Sequence, residues 1–220
     1  YHILNKKFNN QINYFEAIDC INSYQNWKEY SLKNNYNTQE YIDKEVEPVS
    51  KGKLGCNLSH QLLFKQIIEE YDNTKPKWYL ILEDDVDIKT NGSNSFEDVN
   101  NYLEKLINNI ELLSSNTNYV QLCIYDEFFC NQTKTEKVFE NTHRKIFQYG
   151  TCAYLININA IKYINYIKPL NLNIDYVYNS LDKEFNSLAS FNNFFKSLGT
   201  ENSTDKRNNR KLGSIIWNSK

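Results

Sequence analysis

Short, wholly apolar runs separated by stretches of helical periodicity set the pattern along this chain. Three runs read as buried strands: Trp78–Leu82, Tyr119–Ile124 and Cys152–Ile156. Each is too short for a helix, is rich in aromatic and branched residues, and lacks the apolar/polar alternation of a half-solvated sheet. Between them, Leu58, Leu62, Leu63, Ile67, Ile68 and Tyr71 recur at helical spacing, which predicts a helix from Asn57. Val99, Leu103, Leu106, Ile107, Ile110 and Leu113 mark one face of a second helix over Phe96–Leu113, and Ala160–Ile167 predicts a third. Residues 1–50 are polar and mixed, with a strand or edge at Tyr14–Ile18 and helical segments on either side. Gly52 and Gly55 are expected to punctuate a turn, and Pro76 marks the turn before the first buried strand. Strands alternating with helices over short links predict one α/β domain with a mostly parallel sheet. It would span residues 1–199, followed by a basic segment, 200–220, that serves as a lid or a tail.

Composition narrows the partners more than the fold. At 220 residues the chain has ordinary single-domain size, and its net charge of -2 argues against a general nucleic-acid or membrane binder. No transmembrane segment of about 18 apolar residues and no signal peptide is visible, which predicts a soluble protein, intracellular in the cytoplasm or in a secretory-pathway lumen. Asn, Lys, Ile, Tyr and Phe are abundant while Pro, Gly and Ala are scarce. That bias follows the codons of an AT-rich genome. It devalues the Asn runs as prion-like tracts and the sequons at Asn57, Asn91, Asn131 and Asn202 as glycosylation signals. Methionine is absent, position 1 included, which predicts a fragment or a processed form. The cysteines at 20, 56, 123, 130 and 152 form no C-x-x-C pair. A structural zinc site is therefore not expected, and Cys123 and Cys152 read as buried small hydrophobes in a reducing compartment, with disulfides left open.

The candidate chemistry sits where the first buried strand stops, on Glu83-Asp84-Asp85. In open α/β sheets ligands bind outside the carboxyl ends of the strands. Three adjacent carboxylates repel one another unless a cation lies between them. In an extended segment Glu83 and Asp85 point one way and Asp84 the other. A hard divalent ion whose remaining ligands are substrate phosphates suits that arrangement. The alternative is an acidic, solvated turn.

Three further blocks accompany these acids in a fixed order. Gly52-Lys53-Leu54-Gly55-Cys56-Asn57-Leu58-Ser59-His60 precedes the Ile81-Leu82-Glu83-Asp84-Asp85-Val86 strand end. Gly150-Thr151-Cys152-Ala153-Tyr154-Leu155-Ile156 follows it, and Asp175 stands isolated among apolar neighbours. Together with Phe15-Glu16-Ala17-Ile18-Asp19, these blocks make residues 14–180 resemble glycosyltransferase family 25. That family includes bacterial lipooligosaccharide galactosyltransferases and collagen hydroxylysine galactosyltransferases. The family's usual opening strand followed by N-L-x-x-R-x-x-R is not found in Tyr1–Asn10, so either it was lost before this chain begins or the donor site is incomplete.

The resemblance implies a single GT-A-type domain, a Rossmann-like sheet flanked by helices. It also implies inverting transfer of galactose or glucose from a UDP-sugar, the nucleotide-sugar donor, to a glycan or a hydroxylysine-bearing protein acceptor, with Mn²⁺ (or Mg²⁺) as cofactor. Asp85 carries over as direct metal ligand, Glu83 as metal or ribose partner, and Asp84 as the residue that orients them. Ser59 and His60, expected to open a helix behind Gly55, become donor-site candidates, because a helix N-terminus beside glycines approaches anions closely. Inversion needs a base on the face opposite the leaving group. Asp175 is the family-matched candidate, with Asp126 and Glu127 at the end of the second buried strand as rivals. Against this stand a catalytically inactive module of the same fold and a different phosphotransfer enzyme. The absence of a G-x-x-x-x-G-K-[ST] loop argues against the P-loop form of the latter.

Overall fold

The computed structural model describes residues 12–20, 48–74, 77–84, 86–88, 96–113, 116–124, 136–144, 150–167, 182–192, 194–197 and 213–218, with single positions at 23, 25, 26, 29, 33, 174, 177 and 178. The apolar runs become strands whose residues are all buried, Trp78–Leu82 and Ala153–Asn157. In chain order the elements are β1 (Ile12–Glu16), α1 (Pro48–Glu70), β2 (Trp78–Leu82), β3 (Val86–Ile88), α2 (Phe96–Leu113), β4 (Tyr119–Gln121), β5 (Lys137–Phe139) and β6 (Thr142–Arg144). They continue with β7 (Ala153–Asn157), α3 (Ile158–Ile167), a short helix at Asp182–Phe185, β8 (Leu188–Ser190), β9 (Phe195–Ser197) and β10 (Gly213–Asn218).

Eight strands form one sheet in the order β1-β10-β2-β7-β4-β8-β6-β5, and β3 pairs with β9 apart from it. The α/β class and the single domain are as the pattern predicts, and the Rossmann-like sheet flanked by helices is as the family resemblance implies. The strand directions are not mostly parallel: only β4 and β8 pair in parallel, and every other neighbouring pair is antiparallel. A continuous apolar run reports burial on both faces. It carries no information on direction, and β7 is fully buried while antiparallel to both of its neighbours.

The strand alternation divides the core into two layers. Trp78, Leu80, Leu82, Val120 and Leu155 meet Val99, Leu103, Leu106, Ile107 and Ile110 of α2 on one face. Tyr79, Ile81, Tyr119, Tyr154 and Ile156 meet Leu63, Phe64 and Ile67 of α1 and Ile161 and Ile164 of α3 on the other. Position 83 continues the odd-numbered series of β2, so its side chain is delivered to the α1 side.

Three expectations are corrected. First, α1 begins at Pro48 and runs through both Gly52 and Gly55, so no turn separates them from Asn57. Pro48 has the fixed φ and missing N–H that suit a first helical position, and Gly55 serves packing, since a Cβ there would lie 2.7 Å from the Ile18 carbonyl oxygen. Second, the expected C-terminal lid or tail is in part a strand. Residues 213–218 form β10, inserted between β1 and β2, with Ile215 opposite Leu82. Third, Cys123 and Cys152 are disulfide-bonded, their Cα atoms 6.2 Å apart. They continue the register that sets Gln121 opposite Tyr154, and no spacing along the chain reveals that register.

The close approach at Gly55 is sealed by Ser59. Its hydroxyl donates to the Gly55 carbonyl (2.7 Å) and accepts from the Ile18 N–H (2.9 Å), while Ile18, Cys20, Leu54 and Leu58 pack around the contact. Gly55→Ala forces a methyl against a backbone carbonyl that cannot rotate away, so it should destabilise by about 1–3 kcal/mol. Gly52 meets nothing within 4 Å. Gly52→Ala should therefore stabilise by about 0.5–1 kcal/mol through helix propensity. Urea midpoints of the two variants check this, and a Gly55→Ala protein as stable as the parent refutes the close-packing role.

Candidate functional site

Three sequence blocks, far apart along the chain, converge on one carboxylate. Glu83 leaves β2 with its N–H bonded to the Cys152 carbonyl (2.8 Å), which extends the β2–β7 pairing past the formal strand end. The Glu83 carbonyl then accepts from the Val86 N–H (3.3 Å), closing the turn that carries Asp84. Oε1 of Glu83 lies 3.0 Å from Nε2 of His60, accepts from the Thr151 hydroxyl, and faces the Cys56 thiol at 3.9 Å. Behind His60, its Nδ1 lies 2.7 Å from the Tyr154 hydroxyl, which lies 2.9 Å from the Tyr178 hydroxyl.

Proton positions follow from the end of this chain. Burial raises the Glu83 pKa, but the bond and charge of His60, then the Thr151 and Cys56 donors, outweigh it and hold the carboxyl below its ordinary value. An ionised carboxylate only accepts. His60 therefore donates from Nε2 to Glu83, while its Nδ1 bonds the Tyr154 hydroxyl and that hydroxyl bonds Tyr178. Burial, reinforced by the neighbouring phenols, pushes Tyr154 and Tyr178 well above the usual tyrosine range, so both remain donors. His60 is 1% exposed, whereas the Glu83 side chain retains 22% exposure. The network thus buries the histidine and presents the carboxylate at the surface of the site.

Ser59 and His60 lie in the fourth turn of α1, not at a helix N-terminus, because the helix starts at Pro48. Ser59 is occupied in tethering Ile18. His60 reaches the strand-end acids, though by side-chain bonding and not by anion capture at a helix end. Asp84 lies half-buried in the turn after Glu83. Asp85, Asp126, Glu127 and Asp175 lie outside the described residues, as do Lys206, Arg207, Arg210 and Lys211. Gly150 enters β7 with φ 102°, a conformation that favours glycine, and its carbonyl accepts from the Gln121 side chain at 3.2 Å. Tyr154, read from sequence as core, is both core and network. Tyr178 was not singled out at all, since an aromatic in an apolar run gives no sign that its hydroxyl has a partner.

A hard cation asks for oxygen ligands, and the strand end supplies carboxylates at Glu83 and Asp84. Among the described residues the donors to Glu83 all fall on Oε1. The chemistry of this end of β2 therefore fits a divalent ion.

The family model for glycosyltransferase family 25 (LPS biosynthesis protein) matches residues 1–178. The match takes in each member of the network, from Cys56 to Tyr178. No curated protein matches the chain.

A carboxylate whose folded pKa is depressed contributes stability above its unfolded pKa and loses it as pH falls through the folded value. Urea midpoints should therefore drop as pH is lowered from neutral through the carboxylate range, and Glu83→Gln should flatten that drop. An unchanged pH dependence in a folded Glu83→Gln variant contradicts the depressed pKa. Tyr178→Phe removes only the outer donor and should cost about 0.5–1.5 kcal/mol. His60→Phe strands Tyr154 and the Glu83 anion together and should cost at least about 1–3 kcal/mol. Equal losses in the two variants would argue against His60 as the central link.

Proposed function

The chain belongs to glycosyltransferase family 25, and from that premise we propose that it transfers galactose or glucose from a UDP-sugar, with inversion, to a hydroxyl of hydroxylysine or of a glycan. The carrying observation is the convergence of His60, Thr151 and Cys56 on Glu83, which fixes an anion at a strand end. The energy spent on fixing it makes sense where a charged group must be aimed. Asp85 and Glu83 would hold Mn²⁺, which supplies neutralisation of the charge that grows on the leaving diphosphate. Asp84 supports the turn that aims them.

The protein's own groups supply the rest. Two site carboxylates and a diphosphate exceed the charge of one divalent ion. In the sheet Ile215 lies opposite Leu82. β10 therefore begins beside the end of β2 that bears the acids, and Lys211 precedes Gly213 by two residues. Lys206, Arg207, Arg210 and Lys211 are assigned to the diphosphate. Asp175 takes the proton of the acceptor hydroxyl as its oxygen attacks the anomeric carbon and the bond to the diphosphate breaks. Asp175 precedes Tyr178, the last member of the His60 network, by three residues in the sequence. Asp126 and Glu127 contact sugar or acceptor hydroxyls.

Release of UDP from UDP-galactose or UDP-glucose, with Mn²⁺ and a hydroxylysine peptide or glycan acceptor, tests the reading. Asp85→Asn should abolish Mn²⁺-dependent UDP affinity in a folded protein. Asp175→Asn should lower kcat by about 10²–10⁴ while donor binding persists, and Asp126→Asn and Glu127→Gln should be milder. Near-normal kcat in Asp175→Asn with collapse in a rival moves the base to the end of β4. Donor binding with no transfer to any acceptor overturns the catalytic reading in favour of a binding module.

A further inference from the structure

The Cys56 thiol points at the same carboxylate oxygen as His60. Cys56 and His60 are one helical turn apart on the same face of α1. The Cys56 sulfur, the His60 ring nitrogen and the Glu83 carboxylate oxygen all lie within 4.8 Å of one another, with Sγ to Oε1 at 3.9 Å and Nε2 to Oε1 at 3.0 Å. A tetrahedral zinc ion, with bonds of about 2.0–2.3 Å, spaces its donors by about 3.3–3.6 Å. Side-chain adjustments of about 1 Å would complete that geometry.

We propose that Cys56, His60 and Glu83 form a binding site for one thiophilic divalent ion of the zinc class, separate in chemistry from the hard-ion site. A thiolate and an imidazole select zinc-class metals over Mn²⁺ or Mg²⁺. Thiolate and carboxylate together neutralise the ion's charge, with a neutral imidazole as third ligand. His60 is already backed as a metal-ligating histidine must be. When Nε2 turns to the ion, its proton moves to Nδ1 and is donated to Tyr154, whose own hydroxyl turns to Tyr178. The ion takes Cys56 as the thiolate, so binding releases the thiol proton to solvent. Three protein ligands leave a fourth position open, and half-buried Cys56 and Glu83 give it access to solvent.

Among the described residues the other cysteines are poor competitors. Cys123 and Cys152 are bonded to each other, and burial, followed by Asp19, pushes the Cys20 thiol up to about 12. Because Glu83 is shared, occupancy takes its carboxylate away from the donor site, so zinc should inhibit sugar transfer. That consequence rests on the function proposed above; the binding itself does not.

The test uses the whole chain without donor or acceptor. Co²⁺ added to the protein should give a thiolate-to-cobalt charge-transfer band at one ion per chain. Zn²⁺ should displace it and excess Mn²⁺ should not, and calorimetry in buffers of different ionisation enthalpy should report about one proton released. Cys56→Ala, with its fold checked by circular dichroism, should lose the band. Tyr154→Phe should weaken binding by about 10–100-fold, as loss of a hydrogen bond behind a ligating histidine does. Absence of the band, or a band that persists in folded Cys56→Ala, overturns the site. Zinc binding in a protein that transfers no sugar would leave the site standing and the proposed activity refuted.

Discussion

A carboxylate taken partly out of water must be met by donors, and in this protein the donors to Glu83 come from two distant places in the chain. His60 and Cys56 come from α1, Thr151 from the approach to β7, and the backbone of Cys152 fixes the Glu83 peptide. Removing any one of them leaves part of a charge uncompensated in a low-dielectric setting. The relative placement of α1, β2 and β7 is thus specified by polar chemistry as well as by apolar packing. Apolar packing alone tolerates sliding of a helix over a sheet. A histidine that must meet a carboxylate with one nitrogen and a phenol with the other does not.

That demand explains why the α1 sequence is unusual for a helix. Gly55 costs helix propensity, and Ser59 competes for backbone groups. Both losses are offset by docking the segment after β1, whose Ile18 carbonyl lies where a Cβ on residue 55 would go and whose Ile18 N–H bonds to Ser59. One face of α1 therefore carries two tasks at adjacent positions: Ser59 secures the chain leaving β1, and His60 secures the end of β2. The block from Gly55 to His60 is compact because both contacts come from a single turn and a quarter of helix.

Sequence reasoning reached the elements whose signal is local. The short continuous apolar run of β2 and the helical stripe of α2 predict strand and helix over the residues that form them, and the face of α2 that packs includes Val99, Leu103, Leu106, Ile107 and Ile110 as expected. The acids at the end of β2 were legible because an apolar run that stops on charges marks a boundary. What failed was non-local. Glycine at 55 suggests a turn by propensity, and only the approach of Ile18 shows it to be a helical packing residue. Strand direction, the Cys123–Cys152 pair and the insertion of β10 between β1 and β2 all depend on register between distant segments. Tyr178 shows the same limit at the site, since its role lies in a hydroxyl contact with Tyr154, which comes 24 positions earlier in the chain.

Glu83 also shows how one side chain can be tied into the interior and remain accessible at once. Its Oε1 collects the internal donors, while the side chain keeps 22% of its exposure. Packing on one side and access on the other is the condition for preorganisation, in which a charged group reaches its working position without reorganising when substrate arrives. A solvated strand-end acid would rotate among several positions and would lose that freedom on binding. Here the loss is taken at folding. The interior chain of Tyr178, Tyr154 and His60 is therefore part of the site even though its members are buried, because it sets the direction in which the Glu83 charge points.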